Sequence, residues 1–471
     1  MITNHMLRTS FFLWIAVLVG VWGPCGPVAA ADVGKKPNII FIMADDLGYG
    51  QLGCYGQEMI QTPNLDQMAS DGLRMTDYYA GTAVCAPSRC ALMTGLHVGH
   101  CFIRGNHEIK KTPTNESGQL PIPSETITVA ERLKEAGYTT GVVGKWGLGY
   151  PESEGDPLNQ GFDFFAGYNC QRHAHNYYPG WVWRNREKVE LGKANTPEGY
   201  SHYFMTREAR SFITENQANP FFLYLAYTIP HSALQIPSED VAYRLYEKKD
   251  WPEAQKKHAG MITLMDRDIG GIRELLKELG LEENTLVIFT SDNGPHNSGG
   301  AKIEFFDDNG PLRGIKRDMY EGGVRVPFIA AWPSVIEPGR TSDHIAAHWD
   351  LMPTACELAN VDPPSGIDGI SYVPLLKGNV EAQPKHDLVY FELHHPDKRG
   401  LRMGDWVALQ DKTTSSDPNV DRIELYNLKE DLEQKHDLAR NYPEKVAEAR
   451  KLFADVHTPS DHFQFGKPKK K

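Results

Sequence analysis

"NIIFIMADD" (residues 38–46) and "TLVIFTSDNG" (residues 285–294) decide the fold. Each is an apolar run with the length and β-branched content of a strand buried on both faces. Each breaks off in chemically able residues, Asp45 and Asp46 in the first, Asp292 and Asn293 in the second. Two more runs stop in the same manner, "TTGVVGKW" at Lys145 and "FFLYLAYTIPH" near His231. Between them lie helical patterns. Residues 62–72 offer Thr62 as N-cap, Pro63 at the first helical position and Gly72 at the end; residues 124–137 read alike, and a longer pattern covers residues 253–279. Strands alternating with helices predict an α/β fold, a large and mainly parallel mixed sheet between helical layers. In such sheets ligands bind beyond the carboxyl ends of the strands, so the polar residues named above gather on one edge.

The chain has 471 residues, enough for one large α/β domain and a smaller appended one. A net charge of −12 excludes a general attraction to nucleic acid, so an anionic ligand must be captured by a few local cations. The terminal "KPKKK" reads as a solvated end. Residues 11–22, apolar, preceded by Arg8 and followed by "GPVAAA", read as the core of a secretory signal peptide over residues 1–31. The run is shorter than the ~20 residues of a spanning helix. It predicts a secreted or periplasmic protein with no membrane anchor after cleavage. Seven cysteines, one of them Cys25 in the leader, are too few for a disulfide scaffold, and none has zinc-site spacing.

Asp45, Asp46, Asp292 and the Asn293 carbonyl form an all-oxygen set suited to a hard dication, Ca²⁺ first and Mg²⁺ or Mn²⁺ after it. Either pair alone reads equally well as a cap or a turn; both ending core strands favours a metal. A second cluster is "VCAPSRCALMTG", residues 84–95. Pro87 suits the first turn of a helix, which places Cys85 just outside the N-terminus, among free amides that attract anions and depress a thiol's pKa. Arg89 adds a fixed cation.

At these residues the chain resembles the sulfatase family of the alkaline phosphatase superfamily. Cys85-Ala86-Pro87-Ser88-Arg89 matches the family's C-x-P-S-R motif, continued by Leu92, Thr94 and Gly95. The early Asp-Asp, "GKWGLG", Pro230-His231, "SDNG", "LRGIKRDMYEGGVRVP" and "DLMPT" follow in family order over nearly the whole mature chain. The resemblance implies a sulfuric ester hydrolase in which a formylglycine-generating enzyme oxidises Cys85 to formylglycine (3-oxoalanine). It implies one Ca²⁺ held by Asp45, Asp46, Asp292, Asn293 and the modified Cys85, with Arg89, Lys145 and Lys316 around the sulfate. One hydroxyl of the hydrated aldehyde attacks sulfur, the other expels sulfate, and His231 protonates the leaving alcohol. Outside that resemblance, a histidine after a strand is more often structural.

One position departs from the pattern. Gly147 in "GKWGLG" stands where many members carry histidine; either His97, His107, His173 or His175 replaces it, or the metal-bound hydrate needs no nearby base. The loop "CQRHAHNYYPGWVWRN", residues 170–185, mixes aromatics, histidines and arginines in a manner suited to sugars. Its His173 and His175, with Arg104, are candidate substrate contacts; His107, His394 and His395 rank below them. The substrate class expected is a sulfated carbohydrate, a galactose or N-acetylgalactosamine unit. The catalytic domain is expected over residues 32–385, and a small antiparallel-sheet subdomain with a helix over residues 386–471. The alternatives are a formylglycine-dependent phosphate mono- or diesterase and a non-catalytic glycan-binding relative. Asn115 begins a glycosylation sequon.

Overall fold

The computed structural model describes Met1 and residues 36–113, 116–394, 397–411 and 422–465. The leader, Asn115, His395 and the basic tail lie outside the described residues. Ten strands form the main sheet, in the order Arg340–Ser342, Leu73–Met75, Phe328–Ala331, Thr285–Ser291, Asn38–Asp45, Phe221–Pro230, Thr139–Lys145, Phe164–Tyr168, Trp181–Arg184, Glu187–Glu190. The five central strands, from Thr285–Ser291 to Phe164–Tyr168, run parallel, and the antiparallel pairings lie outside them.

The alternation of side chains along Asn38–Asp45 divides the interior. Ile39, Phe41 and Met43 join one core with Val142, Phe222, Tyr224 and Ile288. Ile40, Ile42 and Ala44 join a second with Val143, Leu223, Leu225 and Phe289. Helices Cys85–Thr94, Val129–Glu135 and Leu351–Ala359 cover the first face; Pro63–Ser70, Ser201–Glu215 and Glu253–Glu278 cover the second. Full burial of each such side chain is worth about 1.5–3 kcal/mol, which is why continuous apolar strands demand this three-layer arrangement.

Helix starts differ from the sequence expectation for identifiable reasons. The helix expected at residue 124 begins at Val129, because Thr128 and Glu131 form a capping box: the Glu131 amide donates to Thr128 Oγ1 (3.2 Å) and the Thr128 amide to Glu131 Oε2 (2.7 Å). Pro63–Ser70 starts where expected, but Thr62 does not cap it. Asp266, from the long helix, accepts from the Asn64 and Leu65 amides instead (3.2 and 2.7 Å). The helix that carries Cys85 begins at that residue, with Val84 as N-cap, rather than at Pro87. Pro87 falls within the first turn, where its missing N–H costs nothing.

Near the C-terminus, Val389–Leu393, Lys398–Met403, Trp406–Asp411 and Ile423–Asn427 form a separate four-stranded antiparallel sheet. One face, with Val389, Phe391, Val407 and Leu409, packs into the first core. The other, with Tyr390, Leu401, Ala408 and Leu425, packs on helix Pro443–Asp455 through Ala449 and Phe453. Residues 35–471 form one unit.

Phe222→Ala is expected to cost about 3–5 kcal/mol, because this fully buried ring lies in a central strand of the sheet between its partners Ile39 and Thr140. Ile127→Ala, at a side chain 44% exposed, is expected to stay within about 0.5 kcal/mol of the parent. Denaturant midpoints compare the two.

Candidate active site

The parallel register brings four strand ends together. Ala44 pairs with Ser291 and Asp45 with Pro230, so Asp45, Asp292 and His231 emerge beside one another, and Lys145 closes the next strand but one. Asp46 turns into the left-handed region (φ 63°), which aspartate tolerates better than most residues. Its amide donates to Asp292 Oδ1 at 3.1 Å. That turn lets two consecutive carboxylates reach one point. Ligand atoms of Asp45, Asp46, Cys85 and Asp292 all lie within 4.8 Å of one another, and all four residues are buried.

Three cations enclose the group. Lys145 Nζ donates to Asp45 Oδ2 (2.6 Å); Lys316 Nζ lies 2.8 Å from Asp46 and 3.6 Å from Cys85 Sγ. Arg89, one turn along the helix from Cys85, donates to Asp292 Oδ2 through Nε (3.2 Å) and Nη2 (2.7 Å), while its Nη1 donates to the Lys145 carbonyl (2.8 Å). Asp45, Asp46 and Asp292 thus balance Arg89, Lys145 and Lys316, all of them fully buried except Lys316, whose side chain keeps 8% of its surface exposed. Burial pushes the Asp45 and Asp46 carboxyls up, but the surrounding cations overrule it, Lys145 foremost for Asp45 and Lys316 for Asp46, and hold both well below the usual range. Asp292 is pushed up to about 6 by burial and by the charge of Asp45. Burial opposes the positive charge of Lys316 too, yet the Asp46 carboxylate keeps its pKa raised.

The thiol does not behave as the helix terminus alone suggests. Burial pushes Cys85 up to about 12, and the neighbouring Ala86 amide is taken by Asn106 Oδ1 at 2.9 Å. An unmodified Cys85 is therefore protonated at neutral pH and a poor nucleophile.

The donor set fits a hard dication. Asn293 Nδ2 donates to Asp46 Oδ1 (2.7 Å) and to the Gly294 carbonyl (2.9 Å), which leaves Asn293 Oδ1 buried with no donor. A buried acceptor without a partner costs about 1–3 kcal/mol, and a cation shared with the carboxylates would relieve it.

His231 is buried at the same edge, its Nε2 3.3 Å from Asp46 Oδ2 and its Nδ1 against the Ser232 carbonyl. Burial pushes it down to about 4. His175 stacks on it, ring centroids 4.2 Å apart. Tyr177 holds the segment by donating to the carbonyls of Thr228 (2.7 Å) and His231 (2.6 Å), a role that no sequence signal distinguishes from ordinary packing. The remaining candidates lie elsewhere. Arg104 is buried between the Cys101 and Thr458 carbonyls and Glu392. His173 packs on Trp181 and Tyr168. His97 and His100 gather around Asp368, His107 stands against Phe463, and His394 bonds Glu392.

With this geometry in view, the comparisons are decisive. The family model "Sulfatase" matches residues 37–361, and the model "N-sulphoglucosamine sulphohydrolase, C-terminal" matches residues 314–456. The chain belongs to the sulfatase family. It is 35% identical to human arylsulfatase A over 79% of this chain and 74% of that protein, and 34% identical to dog N-acetylgalactosamine-6-sulfatase over 74% and 68%. Among solved structures, Ps i-CgsB in complex with k-i-k-neocarrahexaose superposes with a TM-score of 0.78 at 29% identity, covering 90% of this chain and 93% of that one. A Bacteroides thetaiotaomicron protein of a glycosaminoglycan-metabolism locus superposes at 0.74 with 25% identity, covering 90% and 99%. The enzyme is a sulfuric ester hydrolase, and the family implies a divalent metal site, for which the buried acidic cluster is the candidate.

Asp292→Asn is expected to weaken divalent-cation binding, measured by titration calorimetry with Ca²⁺, Mg²⁺ and Mn²⁺ in turn, by at least the roughly 10–100-fold that loss of an outer-shell partner alone produces. Arg172→Ala, which breaks only an exposed pair with Glu108, is expected to leave the affinity unchanged.

Proposed function

We propose that this sulfatase removes sulfate from a sulfated carbohydrate, using a formylglycine made from Cys85 and one Ca²⁺ held by Asp45, Asp46, Asp292, Asn293 and the modified residue. The observation that carries the reading is the convergence of the Cys85 side chain with three carboxylates inside a ring of three cations. Carbohydrate is favoured because the relatives are named for an N-acetylgalactosamine sulfate and one solved structure holds a carrageenan-type oligosaccharide. The leader sequence supports export to the periplasm or beyond, after maturation by a formylglycine-generating enzyme.

The metal, when bound, supplies Lewis acidity beside the nucleophile, and the hydrated aldehyde supplies a hydroxyl that a buried thiol of raised pKa cannot. The rest is the work of this chain. Three carboxylates and three cations cancel, so a dication leaves the pocket positive and ready for a sulfate ester. Lys145 and Lys316 sit on either side of the carboxylates and hold the sulfate oxygens as charge grows on them. Arg89 is fixed at Asp292 and at the Lys145 carbonyl, and so costs no reorganisation when the anion arrives. His231 gives its proton to the departing oxygen. Because a carbonyl can only accept, the contact with Ser232 assigns a proton to Nδ1, and Nε2 becomes the atom that faces the leaving group. Burial keeps the free imidazole neutral at pH 7; the approach of an anionic ester raises its basicity, so that Nε2 takes up a proton from solvent as the ester binds and then passes that proton to the departing oxygen, leaving Nδ1–H in place.

Two measurements test this. Mass analysis of the tryptic peptide containing Cys85, after co-expression with a formylglycine-generating enzyme, is expected to show the aldehyde in place of the thiol. That preparation, loaded with Ca²⁺, is expected to hydrolyse 4-nitrophenyl sulfate and at least one position-defined sulfated sugar. Turnover of 4-nitrophenyl phosphate alone would assign a phosphatase instead, and no turnover of either would overturn the reading.

His231→Ala is expected to lower kcat/KM for sugar sulfates by about 10²–10⁴-fold, the usual contribution of a positioned acid. Nitrophenolate leaves without a proton, so for the aryl ester the loss is expected to stay below about tenfold. Equal losses on both esters would exclude a proton-donor role.

A further inference from the structure

The place next to Arg89 that Gly147 leaves empty is filled by another side chain. Gly147 follows the end of strand Thr139–Lys145 with φ 80°, and its amide donates to the Asn169 carbonyl at 3.2 Å. A Cβ built on Gly147 would lie 2.3 Å from Gln171 Nε2 and 3.9 Å from Arg89 Cδ. The Gln171 carboxamide thus occupies the space that any residue other than glycine at 147 would need.

That carboxamide is buried, and neither its Nε2 nor its Oε1 has a hydrogen-bond partner. Its backbone is fixed, because the Gln171 amide donates to Gln119 Oε1 at 3.3 Å. Two more amide groups close by in the chain's folding, Gln119 Nε2 and Asn169 Nδ2, are likewise buried without acceptors. A buried donor left without an acceptor forfeits the hydrogen bond it had with water. Three of them, on residues linked by the Gly147–Asn169 backbone bond and by the bond from the Gln171 amide to the Gln119 side chain, are an arrangement that lacks its acceptor. The neighbouring groups point to what that acceptor is. Arg89 and Lys145 stand beside Gly147 and surround the modified Cys85, so an oxyanion held there brings oxygen lone pairs to this side of the pocket.

We propose that Gln171 is a sulfate-binding residue of this enzyme: its Nε2–H group donates to an oxygen of the bound sulfate from the position that the absence of a side chain at Gly147 opens. The proposal rests on the sulfatase reading above. Glutamine is suited to the task because it donates at every pH at which the enzyme works, and it carries no charge that would compete with the metal's carboxylates.

The test uses full-length enzyme with rates normalised to its formylglycine content. Gln171→Ala is expected to lower kcat/KM for 4-nitrophenyl sulfate by about 10–100-fold, and to raise the inhibition constant of inorganic sulfate by a similar factor, the worth of one hydrogen bond to a charged acceptor. Gln171→Glu, of the same size, is expected to lose more than Gln171→Ala, because it sets a carboxylate against the anion. Gly147→Ala keeps Gln171 and pushes its amide aside, so it is expected to reproduce the Gln171→Ala defect. A packing role alone predicts lowered thermal stability with an unchanged sulfate inhibition constant, and that result in the three variants would overturn the proposal. Calorimetric binding of inorganic sulfate separates the two failures: wild type that binds sulfate more tightly than Gln171→Ala yet hydrolyses no sulfate ester refutes the reaction, whereas equal binding by the two refutes the role of Gln171.

Discussion

The register between two adjacent parallel strands is the constraint on which the site depends. Because Ala44 lies opposite Ser291, Asp45 and Asp292 leave the sheet side by side, and the desolvated charge this creates must be answered at once. Arg89, Lys145 and Lys316 answer it from a helix, a third strand and a loop. A one-residue slip would turn the apolar alternation of Asn38–Asp45 inside out and separate the carboxylates together. Hydrophobic packing of the two cores therefore enforces the electrostatics: the register that buries Ile39, Phe41 and Met43 on one face is the register that aligns the acids.

The balance is not symmetric. Asp45 and Asp46 are held fully ionised by their cations, while Asp292 stays raised, to about 6. Removing one member of a buried charge set leaves its partner uncompensated, a penalty of roughly 3–5 kcal/mol. Such a site contributes little to stability for the price of its desolvation. What it gains is fixed positive groups in a dry pocket, where they act on an anion far more strongly than they would in water. The same burial keeps the Cys85 thiol protonated, which is why the proposed chemistry relies on a different functional group at that position.

The large features of the fold were legible because a strand buried on both faces must be apolar throughout, so the residue at which apolarity ends is visible in one dimension. Asp45, Lys145, His231 and Asp292 are such residues, and the structure brings all four to one edge. Helix starts were less legible, since they depend on which of two nearby polar residues wins the amides. Thr128 with Glu131 outcompetes Ser124, and Asp266, 200 residues away, does the work expected of Thr62. Arg104 illustrates the opposite error: a cation near the nucleophile helix in sequence is claimed by Glu392 from the C-terminal sheet. Gln171 lies in the aromatic loop with nothing in the sequence to distinguish it, because a neutral amide carries no signal until its missing partners can be seen.

Lys316 shows how the C-terminal sheet is tied to the buried charge cluster. The segment around this lysine has no regular structure between Phe306 and Glu321, and a loop left to itself would let a buried ammonium wander. The small sheet and the turn after it grip the segment on both sides. Arg313 Nη1 donates to the Gln434 carbonyl at 2.7 Å, Tyr320 Oη to Glu424 at 2.7 Å, Lys398 Nζ to Asp318 at 3.1 Å, and the Glu321 amide to Gln434 Oε1 at 2.8 Å. Pinned before and after, the loop delivers Lys316 Nζ to Asp46 and Cys85 with its orientation already set. Preorganisation of this kind is where electrostatic catalysis resides, since a cation that must first be ordered returns part of its attraction as lost entropy. The antiparallel sheet thus fixes the position of a lysine it does not itself carry.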